Sequence, residues 1–464
     1  MKSKLFGIVA GVLVLAGILF VSSAPADACP PPPNIHPMIF VHGGAGSGAQ
    51  FESQAMRFES NGYPADYIFV LEYDSSSIAT IMPQVWANLD QLIADVRAKT
   101  GATQVDILGH SLGTTVMHGW LAFPDRAAKV AHYVNIDGQQ AAALPGGVPT
   151  LAIWAGRGVS GRVIVGATNV TLPNQTHVQS ATSPEAFVEM YKFFTGQDPA
   201  TSDIVPEFPL FIKLAGRATL FPQNTGVQGR TLEIWRVNGD TGARIGRKPA
   251  AVYPISGDGS FGPFRAIGGQ HYEFALVKEG AFTHHFYFEP FYRSDYLIRL
   301  QTGEPGVGVG AYMETSDYTT NLILTRYKEF WGDQGAQNDS LEINGTNVVN
   351  AATCPVFKTG VPLVLGPVAI FAYDEHVDRT SNVSTPIAYY YQQPFLTGVD
   401  LFIPGVTPPD GTVPVVLTPR GGGAPQVVNV ANWASESHRI SIQFNDYRQD
   451  INSWWEYIWS LLNK

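Results

Sequence analysis

The sequence predicts an α/β domain followed by an all-β region built as a sandwich, a barrel or both. Three observations carry this. From residue 36 to residue 196, short apolar runs of buried-strand type alternate with amphipathic stretches of helical period. Residues 197–209 are rich in Asp, Pro, Ser and Thr and read as a linker. Beyond them the helical period largely disappears, and short β-branched and aromatic runs are separated by Gly, Pro, Asn and Asp. At 464 residues the chain is too long for one core. The expected divisions are 1–28, 34–198, 202–280 and 281–464.

The first division is a targeting segment. Lys2 and Lys4 precede an unbroken apolar run from Leu5 to Val21, and Ala26-Asp27-Ala28 supplies an Ala-x-Ala cleavage site. A cleaved secretory signal is expected, with a retained anchor as the alternative, because about 17 apolar residues is the short limit for a span. The protein is therefore expected to be secreted or held at the cell surface. Cys29 and Cys354 are the two cysteines, and their spacing does not say whether they are bridged.

The α/β domain opens with Met38-Ile39-Phe40-Val41, a buried strand followed at once by His42-Gly43-Gly44-Ala45-Gly46-Ser47-Gly48. Glycines here let main-chain N–H groups approach a ligand. The spacing fits neither G-x-G-x-x-G nor a P-loop, and no lysine follows. The Gly44 N–H is a candidate donor to an oxyanion.

A second strand, Val105 to Leu108, runs into Gly109-His110-Ser111-Leu112-Gly113. Strand, Gly-x-Ser-x-Gly and helix make a nucleophile elbow: the serine backbone is strained, and the residues two before and two after it must be small. The chain has 47 glycines, so the pattern alone is weak, and the flanking strand and helix give it meaning. Ser111 is the candidate nucleophile and the Leu112 N–H the second oxyanion donor.

A nucleophilic serine needs a base, and the base an orienting acid. His118 lies within the helix after the elbow and cannot turn back to it. His132 enters the next strand and reads as structural. His177 lies in a polar turn before a well-signalled helix, with Ser183 as N-cap, Pro184 at N1 and Gly196 at the end. It is the candidate base. The strand Pro149 to Trp154 ends Ala155-Gly156-Arg157-Gly158 without a carboxylate, and between Ser111 and His177 the only acids are Asp125 and Asp137. Asp125 sits in a helix-ending turn. Asp137 ends the strand Tyr133 to Ile136, on the edge where ligands meet open α/β sheets, and is the candidate acid.

These motifs (Val41-His42-Gly43-Gly44, Gly109 to Gly113, Asn135-Ile136-Asp137-Gly138 and His177) make residues 36–196 resemble the catalytic domain of an α/β-hydrolase lipase or carboxylesterase. An acid one strand early resembles the pancreatic-lipase arrangement, and the whole chain resembles microbial two-domain lipases with a C-terminal β-domain. The resemblance implies ester hydrolysis through a Ser111–Asp137–His177 triad and an acyl-enzyme, on lipid-like carboxylic esters, with no cofactor and no metal. One departure stands out. Only about forty residues separate Asp137 from His177, and a strand fills much of that gap, so no large lid fits there.

The β region offers the runs Leu210 to Leu220, Thr231 to Val237, His271 to Val277, His284 to Glu289, Leu363 to Tyr373, Ile387 to Tyr391 and His438 to Phe444 as strands. Gly257-Asp258-Gly259-Ser260-Phe261 reads as a hairpin turn in a pre-albumin-like sandwich over 202–280. His284 and His285 point to opposite faces of a strand and cannot share one ion. Asp450 to Lys464 reads as a helix with a broad apolar face that packs on the β-domain, the alternative being contact with a lipid interface. A net charge of −10 argues against nucleic acid and against electrostatic docking to anionic membranes. The same triad serves acyl transfer and polyester depolymerisation. A non-enzymatic surface-binding protein is the rival of another class.

Overall fold

A computed structural model describes residues 35–358, 366–445, 447 and 454–462. The targeting segment and Cys29 lie outside the described residues, and Cys354 is buried in the β region.

The α/β domain is one parallel sheet. Its strands are β1 (Met38–Val41), β2 (Ile68–Leu71), β3 (Val105–His110), β4 (Val130–Ile136), β5 (Thr150–Ala155) and β6 (Thr168–Leu172), in the order β2-β1-β3-β4-β5-β6. The central strands read as unbroken apolar runs because helices cover both faces. Along β1, Met38 and Phe40 enter the core under α1 (Glu52–Ser60), while Ile39 and Val41 enter the core under α2 (Ile78–Thr100) and α3 (Leu112–Leu121). α4 (Pro124–Ala127) and α5 (Gln179–Thr182) are short. α6 (Pro184–Thr195) is capped as its sequence signals: the Ser183 hydroxyl accepts the Ala186 N–H and Gly196 closes the helix at φ 70°. The order places β1 beside β3 at the switch point of the sheet, so the loop after β1 and Ser111 emerge side by side.

The all-β region follows as expected. Its strands are β7 (Ile212–Leu220), β8 (Arg230–Arg236), β9 (Ala251–Ile255), β10 (Ser260–Ala266), β11 (Tyr272–Val277), β12 (Thr283–Phe288), β13 (Asp295–Thr302), β14 (Leu322–Thr325), β15 (Ser340–Ile343), β16 (Thr346–Asn347), β17 (Ala369–Tyr373), β18 (Asn382–Pro386), β19 (Leu396–Asp400), β20 (Thr412–Thr418), β21 (Gln426–Ala431) and β22 (His438–Gln443). A nine-stranded sheet, β18-β19-β17-β14-β22-β12-β11-β8-β9, is shared by two sandwiches. One half packs on the sheet β10-β7-β13 around Leu214, Phe274 and Leu300. The other half packs on β16-β15-β20-β21 around Leu324, Val415 and Val430. The nine-stranded sheet is open, with β18 and β9 at its edges, so it is sandwiches rather than a closed barrel that form among the described residues.

Three local readings differ from this structure. The division expected after residue 280 falls inside the first sandwich: β11 and β12 pair across it, with Ala275 opposite His285. Lys278-Glu279-Gly280 is a tight turn, closed by the Ala281 N–H on the Lys278 carbonyl. The strands flanking Gly257-Asp258-Gly259 do not form a hairpin, because β9 pairs with β8 and β10 with β7, so the turn passes from one sheet to the other. Ile387 to Tyr391 is not a strand but one helical turn, α7 (Ala388–Tyr391), whose Tyr390 ring stacks on Phe371 at 4.3 Å. At the C-terminus α8 (Trp454–Leu462) packs on the first sandwich through buried Tyr457 and through Leu461, and leaves Trp459 exposed.

Candidate active site

Ser111 has φ 51° and ψ −120°, a conformation open to an L-residue only at a cost of about 1–3 kcal/mol. The turn is over-determined by its neighbours. The Ser111 N–H donates to the Ile136 carbonyl at 3.0 Å, and the Ser111 carbonyl accepts from the Thr114 N–H at 2.9 Å. Gly113 lies so close to the end of β1 that a Cβ there would sit 2.4 Å from the Val41 carbonyl oxygen. A Cβ on Gly43 would sit 2.9 Å from the Ser111 Cβ. The two glycine motifs seen in sequence therefore press against each other across β1 and β3.

The structure brings Asp137 and His177 together. The His177 Nδ1–H donates to Asp137 Oδ2 at 2.5 Å. Asp137 sits at the tip of β4 with φ 42°, and its Oδ1 accepts the Ala155 N–H at 2.9 Å and pairs with Arg162. The end of β5, which carries no acid, thus supplies a donor to the acid one strand earlier. Burial pushes the Asp137 carboxyl up, but the His177 hydrogen bond and charge, with Ala155 and Arg162, outweigh it and hold the group below the usual carboxylate range. Asp125 is exposed on α4.

His110, next to the serine, supports the candidate base. It accepts the Gln50 amide on Nδ1 at 2.7 Å and donates from Nε2 to the His177 carbonyl at 3.1 Å. Burial, reinforced by the nearby His177, drops its pKa to about 3, so it stays neutral across the working range. His118 bonds Asn135 at 3.2 Å, and His132 bonds Asp106 at 2.9 Å. Neither approaches the elbow.

The two candidate oxyanion donors belong to neighbouring residues. Leu112 is the first residue of α3, where the N–H has no partner within the helix and the helix dipole favours negative charge. Gly44 lies 4.0 Å, measured from a built Cβ, from the Leu112 side chain. The loop around Gly44 is fixed: the Gly46 N–H bonds the Gly43 carbonyl at 3.2 Å and the Ala45 N–H bonds Ser75 Oγ at 2.8 Å.

Sequence reasoning missed the β-region residues that hold these loops. The Asn224 amide donates to the Gly46 carbonyl at 2.8 Å and to the Tyr73 carbonyl at 3.1 Å. Glu329 is 1% exposed, and its carboxylate accepts the Thr176 hydroxyl at 2.5 Å, the Val178 N–H at 2.7 Å and the Gln179 N–H at 3.3 Å. Arg420 ties this group down by donating to the Glu329 carbonyl and to Gln179 Oε1. Lys358 donates to the carbonyls of Tyr391, Gln393 and Leu396 and so fixes Phe395, whose ring lies 6.1 Å from that of His177. No local motif announces any of these, because each partner lies more than thirty residues away, and for Asn224 and Glu329 about 150 or more.

A cavity of about 170 Å³ opens from Ser111 and Gly44 beneath the nine-stranded sheet. Strand alternation decides its lining. On β14, Leu322 and Leu324 enter the second sandwich core, while Ile323 and Thr325 face the cavity. On β22, Ile440 and Ile442 go to the core, while Arg439, Ser441 and Gln443 face the cavity. The β region is thus the cover that the α/β domain itself lacks.

His36, Asp106 and His132 are the one His/Asp cluster of metal-binding geometry among the described residues. They lie at the N-terminal ends of β1, β3 and β4, the edge of the sheet opposite Ser111. His284 bonds Thr302 and Ser441, and His285 bonds Glu273 and His438, on opposite faces of β12.

Residues 35–125 match the family Lipase (class 2), residues 211–305 the Lipase C-terminal domain, and residues 308–448 a family described as a C-terminal domain. No curated protein matches the chain. Among solved structures, a pyrethroid hydrolase (PytH) is 21% identical over 23% of this chain and 42% of its own, with a TM-score of 0.19. Aspergillus fumigatus lipase B is 15% identical over 38% and 56%, with a TM-score of 0.29. A Bacillus licheniformis lipase in propeptide form is 11% identical over 88% and 95%, with a TM-score of 0.28. This chain therefore spans less than half of the pyrethroid hydrolase. It joins a lipase-like α/β-hydrolase domain to a large all-β region, part of which matches the Lipase C-terminal domain.

Proposed function

We propose that the chain is an exported serine carboxylic-ester hydrolase acting on lipid-like esters. The single observation that carries this is the 2.5 Å bond from His177 to Asp137 beside a strained Ser111 at the mouth of an enclosed cavity. The lipase family matches support the broader hydrolase class. Ser111 Oγ adds to the ester carbonyl and its proton passes to His177 Nε2. The carbonyl oxygen, now negative, is held by the N–H groups of Gly44 and Leu112, each contributing roughly 3 kcal/mol. The C–O bond to the alcohol breaks, and the alcohol leaves with the proton from His177. Water then repeats the sequence on the acyl-serine. Asp137 keeps the imidazole in the Nδ1–H tautomer and offsets the charge that develops on it.

The test uses a fluorophosphonate probe and a chain-length series of p-nitrophenyl esters on the purified protein. Ser111 is expected to be labelled, and Ser111→Ala to lose both labelling and hydrolysis. Full activity in that variant would sink the serine mechanism. Failure of the folded wild type to react with either reagent would favour a binding protein. Lys2, Lys4 and the apolar run to Val21 support export, which a signal-peptidase cleavage assay would test.

A further inference from the structure

The cavity under the nine-stranded sheet is apolar through its middle, where Phe286, Ile323 and Phe371 face it, and cationic at its far end. The distance follows from β22. Gln443 bonds Glu52 of α1 at 3.0 Å, which puts that end of the strand against the α/β domain. Arg439 is four residues further back on the same face, ~13 Å away at ~3.4 Å per residue.

The charge at that end has no counter-charge. The Arg439 guanidinium lies 4.2 Å from the centre of the Phe282 ring and donates to the Gly310 carbonyl at 3.1 Å. Arg230 lies against the same ring at 5.1 Å, is 2% exposed, and donates to the Phe282 carbonyl at 3.2 Å. Its Nε and Nη2 are buried without a hydrogen-bond partner. Neither arginine forms an ion pair among the described residues. Glu304, whose field reaches Arg230, is paired with Lys278 at 3.6 Å. His284 bonds two hydroxyls, Thr302 Oγ1 and Ser441 Oγ, each at 2.8 Å, and burial with the neighbouring Arg439 holds its pKa well below the usual value, so it adds no charge here. Arg439, half-buried, is the one of the two that lines the cavity, and an unpaired guanidinium at the end of an apolar cavity gains from a ligand that pairs it.

We propose that this end of the cavity is a carboxylate subsite, and that the preferred substrates are esters whose acyl chain ends in a second carboxylate, held by Arg439 while the ester carbonyl meets Ser111. The subsite rests on the reading of Ser111 as the nucleophile. A planar guanidinium with free N–H groups matches a carboxylate in a bidentate pair. The acyl half is assigned to the cavity because it stays bonded to the serine through both half-reactions, whereas the alcohol must leave before water enters. The ~13 Å along β22 sets the scale of that chain, so the series is centred on roughly ten carbons.

The experiment compares mono-p-nitrophenyl esters of dicarboxylic acids with p-nitrophenyl esters of monocarboxylic acids of equal length. In the wild type the carboxylate-ended series should be favoured in kcat/KM by roughly tenfold or more at ten carbons and above, through KM, and less so in high salt. That ratio should collapse in Arg439→Gln and be partly kept in Arg439→Lys. A ratio at or below one in the wild type, or one unchanged in both variants, overturns the subsite. Binding of free decanedioate to Ser111→Ala by calorimetry separates the two readings, since it needs no catalysis. Roughly tenfold weaker binding on adding Arg439→Gln supports the subsite even if the esters are not cleaved. Equal binding with and without Arg439 overturns it while leaving ester hydrolysis intact.

Discussion

Glu329 holds His177 from the other side of the molecule: its carboxylate accepts the hydroxyl of Thr176 and the N–H of Val178, the residues on either side of the histidine. The proposed base therefore sits on a loop whose polar groups are satisfied by the β region. Asn224 does the same for the loop carrying Gly44. The geometry of the proposed site depends on contacts between regions that share little sequence context.

Glu329→Gln removes an acceptor and places an amide N–H against N–H donors. The expected outcome is a fall in kcat of ~10–100-fold with a smaller change in KM, because misplacing a base by about 1 Å costs on that scale. Glu329→Asp should recover part of the loss by keeping the carboxylate. Equal changes in kcat and KM, or no change at all, would show that the contact holds the fold and not the base.

Asp137→Asn tests the acid. The amide accepts from His177 only in one orientation and carries no charge to offset the imidazolium. A loss in kcat on the scale of ~10⁴ is expected with the fold intact by circular dichroism. Asp125→Asn should be silent, since Asp125 is exposed on α4. The reverse pattern would reassign the acid.

How far the sequence could be read depends on the range over which each residue acts. Gly109, Gly113 and Ser111 interact within one turn, so spacing alone exposes them. Asp137 stands out as the acid candidate by elimination, whereas the Ala155 N–H that bonds its Oδ1 from the end of β5 carries no sequence signal. Glu329 and Asn224 carry no local signal, because a buried carboxylate or amide in a loop looks like any polar loop residue until its distant partner is known. The strand pattern of the β region was legible, but its sheet assignment was not. A glycine turn such as 257–259 has the same chemistry whether it closes a hairpin or passes between sheets, and residue 280 looks like a linker although β11 and β12 pair across it. Ile387 to Tyr391 has strand composition, yet Tyr390 buries its ring on Phe371 from a helical turn.

Stability should depend on pH through Glu59. Burial, opposed by Arg293 and reinforced by Glu207 and Asp295, pushes this carboxyl up from 4.5 to about 8. Between those values the folded chain keeps a proton that the unfolded chain has lost. The folded state then binds more protons, so stability falls as pH rises through this window and is lowest above 8. Glu59→Gln should flatten the Tm-against-pH curve between pH 5 and 8 and raise Tm by several degrees at pH 8. An unchanged slope would mean that the carboxyl is ionised in the fold, paired with Arg293, whose Nε lies 3.7 Å away.

A chain ending near Gly196 should fail as an esterase even on short esters. The cut removes Asn224 and Glu329, and it uncovers the mouth of the cavity, whose walls are supplied by β12, β14, β17 and β22. It also leaves Arg57 and Asn61 of α1 without the Ser202 and Thr201 carbonyls that they now bond. If the β region served only to bind long chains, the fragment would cleave acetate and butyrate esters at the full rate and lose only the longer ones. If it holds the base and oxyanion loops, the loss is in kcat and is similar at every chain length. Chain-length profiles of the fragment, taken alongside full-length Glu329→Gln and Asn224→Ala, decide between the two. A fragment that folds by circular dichroism and matches the full chain on short esters would remove the positioning role assigned here to the β region.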